Sequence, residues 1–144
     1  MNLVALFLVL ALWVTTVAGS ACNAPPCGRV NNGSPYTLKW ADLATGPHYC
    51  QVYNWHGGGG GETWSSSRRK CRQDFVRPGA NKGGYFNDRV DVDAFTYADR
   101  DYKIQWNSGR KYTLTKGVWT KIKSTQTALC KDINGDGTPE CFIA

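Results

Sequence analysis

Six cysteines that all follow an apolar leader constrain this chain more than any other feature of its sequence. The leader has no charged side chain, carries an apolar run over residues 3–14, and ends in small residues at positions 18–21, as secretory signal peptides do. The apolar run is shorter than the roughly 20 residues that a spanning helix needs, so a transmembrane anchor is the less favoured alternative. We expect a signal peptide over residues 1–20 and one secreted, disulfide-rich β-domain over residues 21–144.

The cysteine count predicts that every thiol is paired. An even number of cysteines in an exported chain indicates disulfides formed in an oxidising compartment, and six cysteines permit many different pairings. A short segment with strong turn residues separates the last two cysteines, so we expect those two to pair with each other. The residues expected in disulfides are Cys22, Cys27, Cys50, Cys71, Cys130 and Cys141.

The periodicity of apolar residues is that of β-strands. Apolar and polar side chains alternate over residues 36–40, 90–94, 102–106 and 112–114, which is typical of half-buried strands. Residues 49–55 and 117–122 are further strand candidates, and no segment shows a sustained helical stripe. The sequence therefore predicts an all-β fold with little helix, a small disulfide-stapled β-sandwich or barrel, which we expect to be a monomer.

Glycine, proline and asparagine mark the predicted connections. Residues 107–110 are expected to form a hairpin turn in which Gly109 supplies the positive φ. The glycine run at residues 57–61 and the segment 76–87 are expected to be loops. Trp40 and Trp106 fall on the apolar side of predicted strands and are assigned to the core.

The positive charge of the chain suggests an acidic partner. Its net charge is +6, and basic residues crowd the segment around Cys71. Such a charge favours phosphate, anionic lipid or acidic polysaccharide as a partner, with solubility as the simpler alternative. Aromatic rings beside cations can also stack on sugars or on unpaired bases. The predicted binding loop consists of Trp64, Arg68, Arg69, Lys70 and Arg72.

The segment between Cys130 and Cys141 contains DINGDG, which resembles the start of an EF-hand calcium loop. Asp132, Asn134 and Asp136 occupy the first three ligand positions. The position that should hold a bidentate Glu is Ile143, however, and the chain ends directly afterwards. We therefore favour a turn between two paired cysteines over a calcium site, and expect no metal and no cofactor.

An enzymatic alternative uses the only two histidines. His48 and His56, with Glu62 and the neighbouring cations, would supply the acid, base and charge that a secreted ribonuclease needs. No catalytic signature fixes their arrangement, so we expect a non-enzymatic protein. An antimicrobial or killer-toxin-like protein and a protease inhibitor stay open as alternatives. Asn32 begins a glycosylation sequon, but Pro35 follows it and Asn-Gly also favours a turn, which leaves its occupancy open.

The layout of the chain resembles the small secreted cysteine-rich effectors of fungal plant pathogens, in particular the six-cysteine avirulence effectors of the blackleg type. The likeness lies in the short leader, the length, and the placing of Cys22 and Cys27 early and Cys130 and Cys141 at the end. It implies secretion during infection, action outside or inside host cells on a host component, and recognition by a plant resistance protein. It carries over no catalytic residue.

Overall fold

The computed structural model describes residues 22–43, 48–52, 54–55 and 67–144, and at 48–52, 54–55 and 67–70 it describes the backbone alone. The predicted signal peptide and the glycine run lie outside the described residues. In the described part of the chain, no helix is long and apolar enough to cross a membrane. Strands and turns make up this part, which confirms the predicted all-β fold.

Twelve strands follow one another along the described residues. They are β1 (Arg29–Asn32), β2 (Leu38–Asp42), β3 (His48–Val52), β4 (Asn54–Trp55), β5 (Ser67–Val76), β6 (Asn81–Gly83), β7 (Ala94–Thr96), β8 (Tyr102–Trp106), β9 (Lys111–Leu114), β10 (Trp119–Lys121), β11 (Thr127–Lys131) and β12 (Glu140–Ile143).

These strands form two six-stranded sheets. The first has the order β6-β1-β11-β12-β8-β9, in which β1 and β11, and β12 and β8, are parallel neighbours. The second has the order β3-β5-β2-β7-β10-β4, in which β10 and β4 are parallel. Both sheets therefore join strands that are distant in sequence, which local patterns do not reveal.

One apolar core lies between the sheets, as a β-sandwich requires. The alternating residues predicted to face inward do so: Leu38 and Trp40 of β2, and Tyr102 and Ile104 of β8, are buried. Trp106 is only half-buried and packs against this core. The core assignment is thus confirmed for Trp40, whereas Trp106 lies at the core's edge.

A second, smaller cluster lies on the other face of the second sheet. Ala41 of β2 and Ala94 of β7 are directly opposite each other, next in sequence to Trp40 and Phe95 of the main core. Because successive residues of a strand face opposite sides, these alanines point away from the main core. With Leu43, Cys71 and Trp119 they form the second buried cluster.

Disulfides connect neighbouring parts of the sandwich. Cys130 pairs with Cys141, as predicted, and the two residues are directly opposite each other on β11 and β12. Cys22 pairs with Cys27, and Cys71 is also disulfide-bonded. The side chain of Cys50 lies outside the described part.

Two turn predictions need correction. The segment 76–87 is not a continuous loop, since residues 81–83 form β6 and pair with β1. In the β8–β9 hairpin, the left-handed residue is Asn107, with φ of 48°, and not Gly109. Asn tolerates this region because its short polar side chain bonds locally, so the left-handed residue lies two positions earlier than expected.

Two carboxylates, Asp91 and Asp93, fix connecting segments next to strands of both sheets. Asp91 accepts hydrogen bonds from Gly28 N at 2.6 Å and from the Ser124 hydroxyl at 2.7 Å. Asp93 accepts one from Leu43 N at 2.7 Å. Burial raises the pKa of Asp93 to about 6, against the lowering effect of the bond from Leu43, and repulsion from Asp91 and Asp42 adds to the rise.

Candidate functional site

The predicted binding residues fall mainly in a strand. Arg68, Arg69, Lys70 and Arg72 lie within β5, which corrects the prediction of a basic loop. The structure pairs the backbone of the first three with β3, while their side chains and the whole of Trp64 lie outside the described residues. Arg72 is the member whose side chain is described, and it is exposed.

Arg72 and Lys82 both lie against the ring of Trp40. The guanidinium carbon of Arg72 is 5.5 Å from the ring centroid and the ammonium nitrogen of Lys82 is 4.7 Å from it. Trp40 is 1% exposed, so its ring is a fixed support for both cations. Arg72 forms no ion pair with a described residue.

Lys82 also contacts a tight turn after β6, which we call the Phe86 turn (residues 84–89). Its ammonium is 2.7 Å from the Asp88 carboxylate. The other oxygen of Asp88 accepts hydrogen bonds from Gly83 N at 3.1 Å and from Val90 N at 3.2 Å. One carboxylate therefore holds both ends of the turn and binds it to β6.

The backbone closes the same turn. The carbonyl of Gly84 accepts from Asn87 N and Arg89 N, both at 3.2 Å, and Gly84 N donates to Val90 O at 3.0 Å. Gly84 has φ of 93° and Arg89 φ of 56°, so two left-handed residues bound the turn. A turn with this many internal hydrogen bonds presents its side chains in a defined arrangement.

Phe86 projects from this turn into solvent and is 93% exposed. Its ring meets the edge of Tyr85 at a centroid distance of 5.0 Å, and the guanidinium of Arg89 lies 5.6 Å from the Tyr85 ring. Aromatic residues and arginine dominate the energetics of protein interfaces. An exposed Phe on a hydrogen-bonded turn is therefore the strongest candidate anchor in the described part of the chain.

The Phe86 turn was not predicted from the sequence, because the whole segment 76–87 is rich in loop-forming residues. The available signal was the aromatic pair Tyr85–Phe86 between Gly84 and Asn87. Large aromatic rings do not favour turns as Gly and Asn do. Their presence in this connection therefore suggested a role in packing or in binding.

The residues of the enzymatic alternative are largely outside the described part. His56 and Glu62 lie there, and so does the side chain of His48, whose backbone in β3 pairs with Cys71. Their mutual geometry is therefore not described, and the ribonuclease alternative stays an untested hypothesis.

The DINGDG segment forms the turn that was favoured. The Tyr36 hydroxyl donates to Asp132 at 3.2 Å, Asn134 donates to Glu140 at 3.3 Å, and Asp136 accepts from Thr138 N at 2.8 Å. Asn134 and Asp136 thus form bonds within the hairpin, and Asp132 joins the hairpin to Tyr36. Within the described ranges, no group of three or more His, Cys, Asp or Glu is placed to hold a metal ion.

Asn32 is not accessible for glycosylation in the folded protein. It is 1% exposed, and its amide donates to the carbonyls of Tyr36 at 2.6 Å and Val76 at 3.0 Å. Its side-chain oxygen accepts from Ser34 at 2.7 Å and Tyr97 at 3.1 Å. The sequon asparagine is therefore a buried connector between strands.

The fold and the site together define a class: a disulfide-stapled β-sandwich that presents an aromatic turn beside exposed cations. No family model, curated protein or solved structure matches the chain.

Proposed function

We propose that this protein is an exported, non-enzymatic binding protein that contacts a host protein through the Phe86 turn and the adjacent cations Arg72 and Lys82. The exposure of Phe86 on a hydrogen-bonded turn is the observation that carries the proposal. An apolar ring of this size in water is unfavourable, and burial of it in a partner's pocket stabilises a complex by about 1.5–3 kcal/mol.

The composition of the surface specifies the partner's chemistry. Phe86 requires an apolar pocket, whereas Arg72 and Arg89 require carboxylates around the pocket's rim. The turn is already closed by its own hydrogen bonds, so little conformational entropy is lost when it binds. The expected partner is thus a protein surface with an apolar cavity and an acidic margin.

Secretion and the effector role are part of the same proposal. The apolar leader and the disulfides support an extracellular protein. The resemblance to six-cysteine avirulence effectors supports a host component as the partner and a plant resistance protein as the receptor that recognises it. Trp64, Arg68, Arg69 and Lys70 stay predicted members of the binding surface, because β5 carries three of them towards Arg72.

A matched pair of substitutions tests the proposal. Phe86→Ser removes the anchor, and Phe75→Ser removes a second phenylalanine, 59% exposed on β5, from outside the turn. Purified wild type and both variants are immobilised at equal density and exposed to plant apoplastic fluid and cytosol, and captured proteins are quantified by mass spectrometry. Circular dichroism and thermal unfolding confirm that each variant is folded.

The proposal predicts at least one host protein that wild type and Phe75→Ser retain equally and that Phe86→Ser retains about tenfold less or worse. Arg72→Ser should lower retention of the same protein by a smaller factor. Capture that is identical for all variants would contradict the assignment of the binding surface. Multiple-turnover hydrolysis of total RNA by the wild type, lost on His48→Ala or His56→Ala, would contradict the non-enzymatic part.

A further inference from the structure

The outer face of the first sheet carries a row of side chains to which every strand of that sheet contributes one residue. Each member is directly opposite the next in register. Their sequence neighbours, such as Val30, Cys130 and Ile104, point into the core, so the row faces outward. We call it the outer row, and in order across the sheet it is Asn81, Asn31, Leu129, Phe142, Gln105 and Lys111.

The outer row has an apolar centre that is flanked on each side by an amide side chain. Leu129 is 38% exposed, and its direct neighbour Phe142 is half-buried, with the Lys111 ammonium 5.7 Å from its ring centroid. Asn31 lies on one side of this pair and Gln105 on the other. With neighbouring strands about 4.8 Å apart, the row spans about 24 Å, which is the shape of a track for an extended polymer.

The same face carries uncompensated positive charge. Glu140 accepts from Lys111 at 2.6 Å and from Lys103 at 3.4 Å, so this one carboxylate is shared by two lysines. Arg29 and Lys131 also lie at outward positions of β1 and β11 and form no ion pair with a described residue. Two buried polar atoms on this face, Arg29 Nε and Asn31 Oδ1, have no hydrogen-bond partner among the described residues.

We propose that the outer row is a second binding site, distinct from the Phe86 turn, and that it takes an acidic polysaccharide of the polyuronate class across the strands. Each feature of such a chain has a counterpart in this face. Its carboxylates fit Arg29 and Lys131, its hydroxyls fit the side-chain amides, and the apolar faces of its sugar rings fit Leu129 and Phe142. The amide nitrogen of Gln105 donates to Gly109 O, which leaves the amide oxygen to accept a sugar hydroxyl.

The test uses polygalacturonate as the probe and two variants of equal net charge. Arg29→Gln with Lys131→Gln removes the two outward cations without an ion pair. Lys116→Gln with Lys123→Gln removes two exposed lysines from turns outside the first sheet. Affinity is measured by electrophoresis through gels that contain the polymer and by calorimetry at low and at physiological salt, on protein whose folding is checked by thermal unfolding.

The wild type should bind the polymer with an affinity that falls as salt is added. The variant Arg29→Gln with Lys131→Gln should lose about tenfold or more in affinity, and the control variant should change by no more than about twofold. Leu129→Ser should lose about threefold at unchanged charge. If Arg29→Gln impairs folding, Lys131→Gln alone should still weaken binding more than Lys116→Gln alone.

Several results would overturn the proposal. Equal losses of affinity in the two double variants would show that binding depends on net charge alone. Absence of binding to polygalacturonate at low salt would contradict the existence of the site. Equal affinity for a neutral glucan, or tighter binding of RNA than of polygalacturonate at the same salt, would exclude the polyuronate class. Phe86→Ser should bind the polymer as wild type does, and a loss there would place the polymer on the other site.

Discussion

Lys82 and Asp88 form an ion pair of 2.7 Å at the base of the Phe86 turn, and the same lysine lies over the ring of Trp40. The turn is thereby connected through one side chain to the largest fully buried residue of the core. The turn that bears the exposed Phe86 is thus anchored to the core of the sandwich through the Asp88–Lys82–Trp40 contacts. A mobile loop would lose more conformational entropy on binding than this turn does.

Asp88→Ala should release the Phe86 turn. The substitution removes the acceptor for Gly83 N and Val90 N together with the partner of Lys82, so we expect the free energy of unfolding to fall by about 1–3 kcal/mol. Hydrogen exchange of residues 84–90 should accelerate, measured by NMR. Asp136→Ala, which removes a single backbone contact in another turn, is the control and should change stability by less. Unchanged exchange in the Phe86 turn would show that the backbone bonds alone fix it.

Asn32 should be free of glycan when the protein is secreted from a eukaryotic cell. Its amide is buried and donates to two carbonyls, so a chain that carried a glycan on this nitrogen could not form the observed packing. Intact-mass spectrometry before and after treatment with an N-glycosidase should give the same mass. A substantial glycosylated fraction that folds normally would contradict the buried position of this side chain.

Asp93→Asn should stabilise the protein at neutral pH. The pKa of Asp93 is raised from 3.8 to about 6 in the folded protein, so folding favours the protonated carboxyl. The free energy of unfolding is therefore highest below pH 4 and falls as the pH rises through 6, where the buried carboxyl becomes charged. Asparagine keeps an acceptor for Leu43 N without the buried charge. We expect a gain of about 1–2 kcal/mol at pH 7 and little gain at pH 4, measured by denaturant unfolding. A gain that is equal at both pH values would contradict the charge-based explanation.

Glu140→Gln should have the opposite pH dependence. The bond from Lys111, and after it the bond from Lys103, lowers the pKa of Glu140, whose side chain is 5% exposed. A lowered pKa contributes stability above the usual pKa of 4.5, and this contribution is lost as the pH falls below it. Because both lysines are partly exposed, we expect a loss of about 1–2 kcal/mol at pH 7. That loss should shrink as the pH falls below 4.5, and a loss independent of pH would contradict the ion-pair account.

The sequence predicted those parts of the fold that depend on local alternation. Leu38 with Trp40, and Tyr102 with Ile104, face the core because a strand with one buried side must alternate. The Cys130–Cys141 pair was predictable because a short turn brings the two arms together. The parallel pairing of β1 with β11 was not predictable, because no local pattern specifies which distant strand lies alongside.

The candidate site was predictable only in part. Arg72 was identified from the charge cluster, but its position over Trp40 depends on the pairing of β5 with β2. Phe86 was not predicted because large aromatic residues are usually buried. Its exposure is apparent only from the three-dimensional structure of the turn. The outer row was also missed, since its six members come from six strands that the chain visits in a different order.

Site-specific photo-cross-linking tests the central claim most directly. A benzophenone amino acid placed at position 86, or at position 75 as the matched control, is irradiated in plant extract, and covalent adducts are identified by mass spectrometry. The account predicts one dominant protein adduct from position 86, reduced by excess wild-type protein, and none of that adduct from position 75. The same adduct in equal yield from both positions, or from position 75 alone, would contradict the claim that the Phe86 turn is the anchor of a host-protein complex.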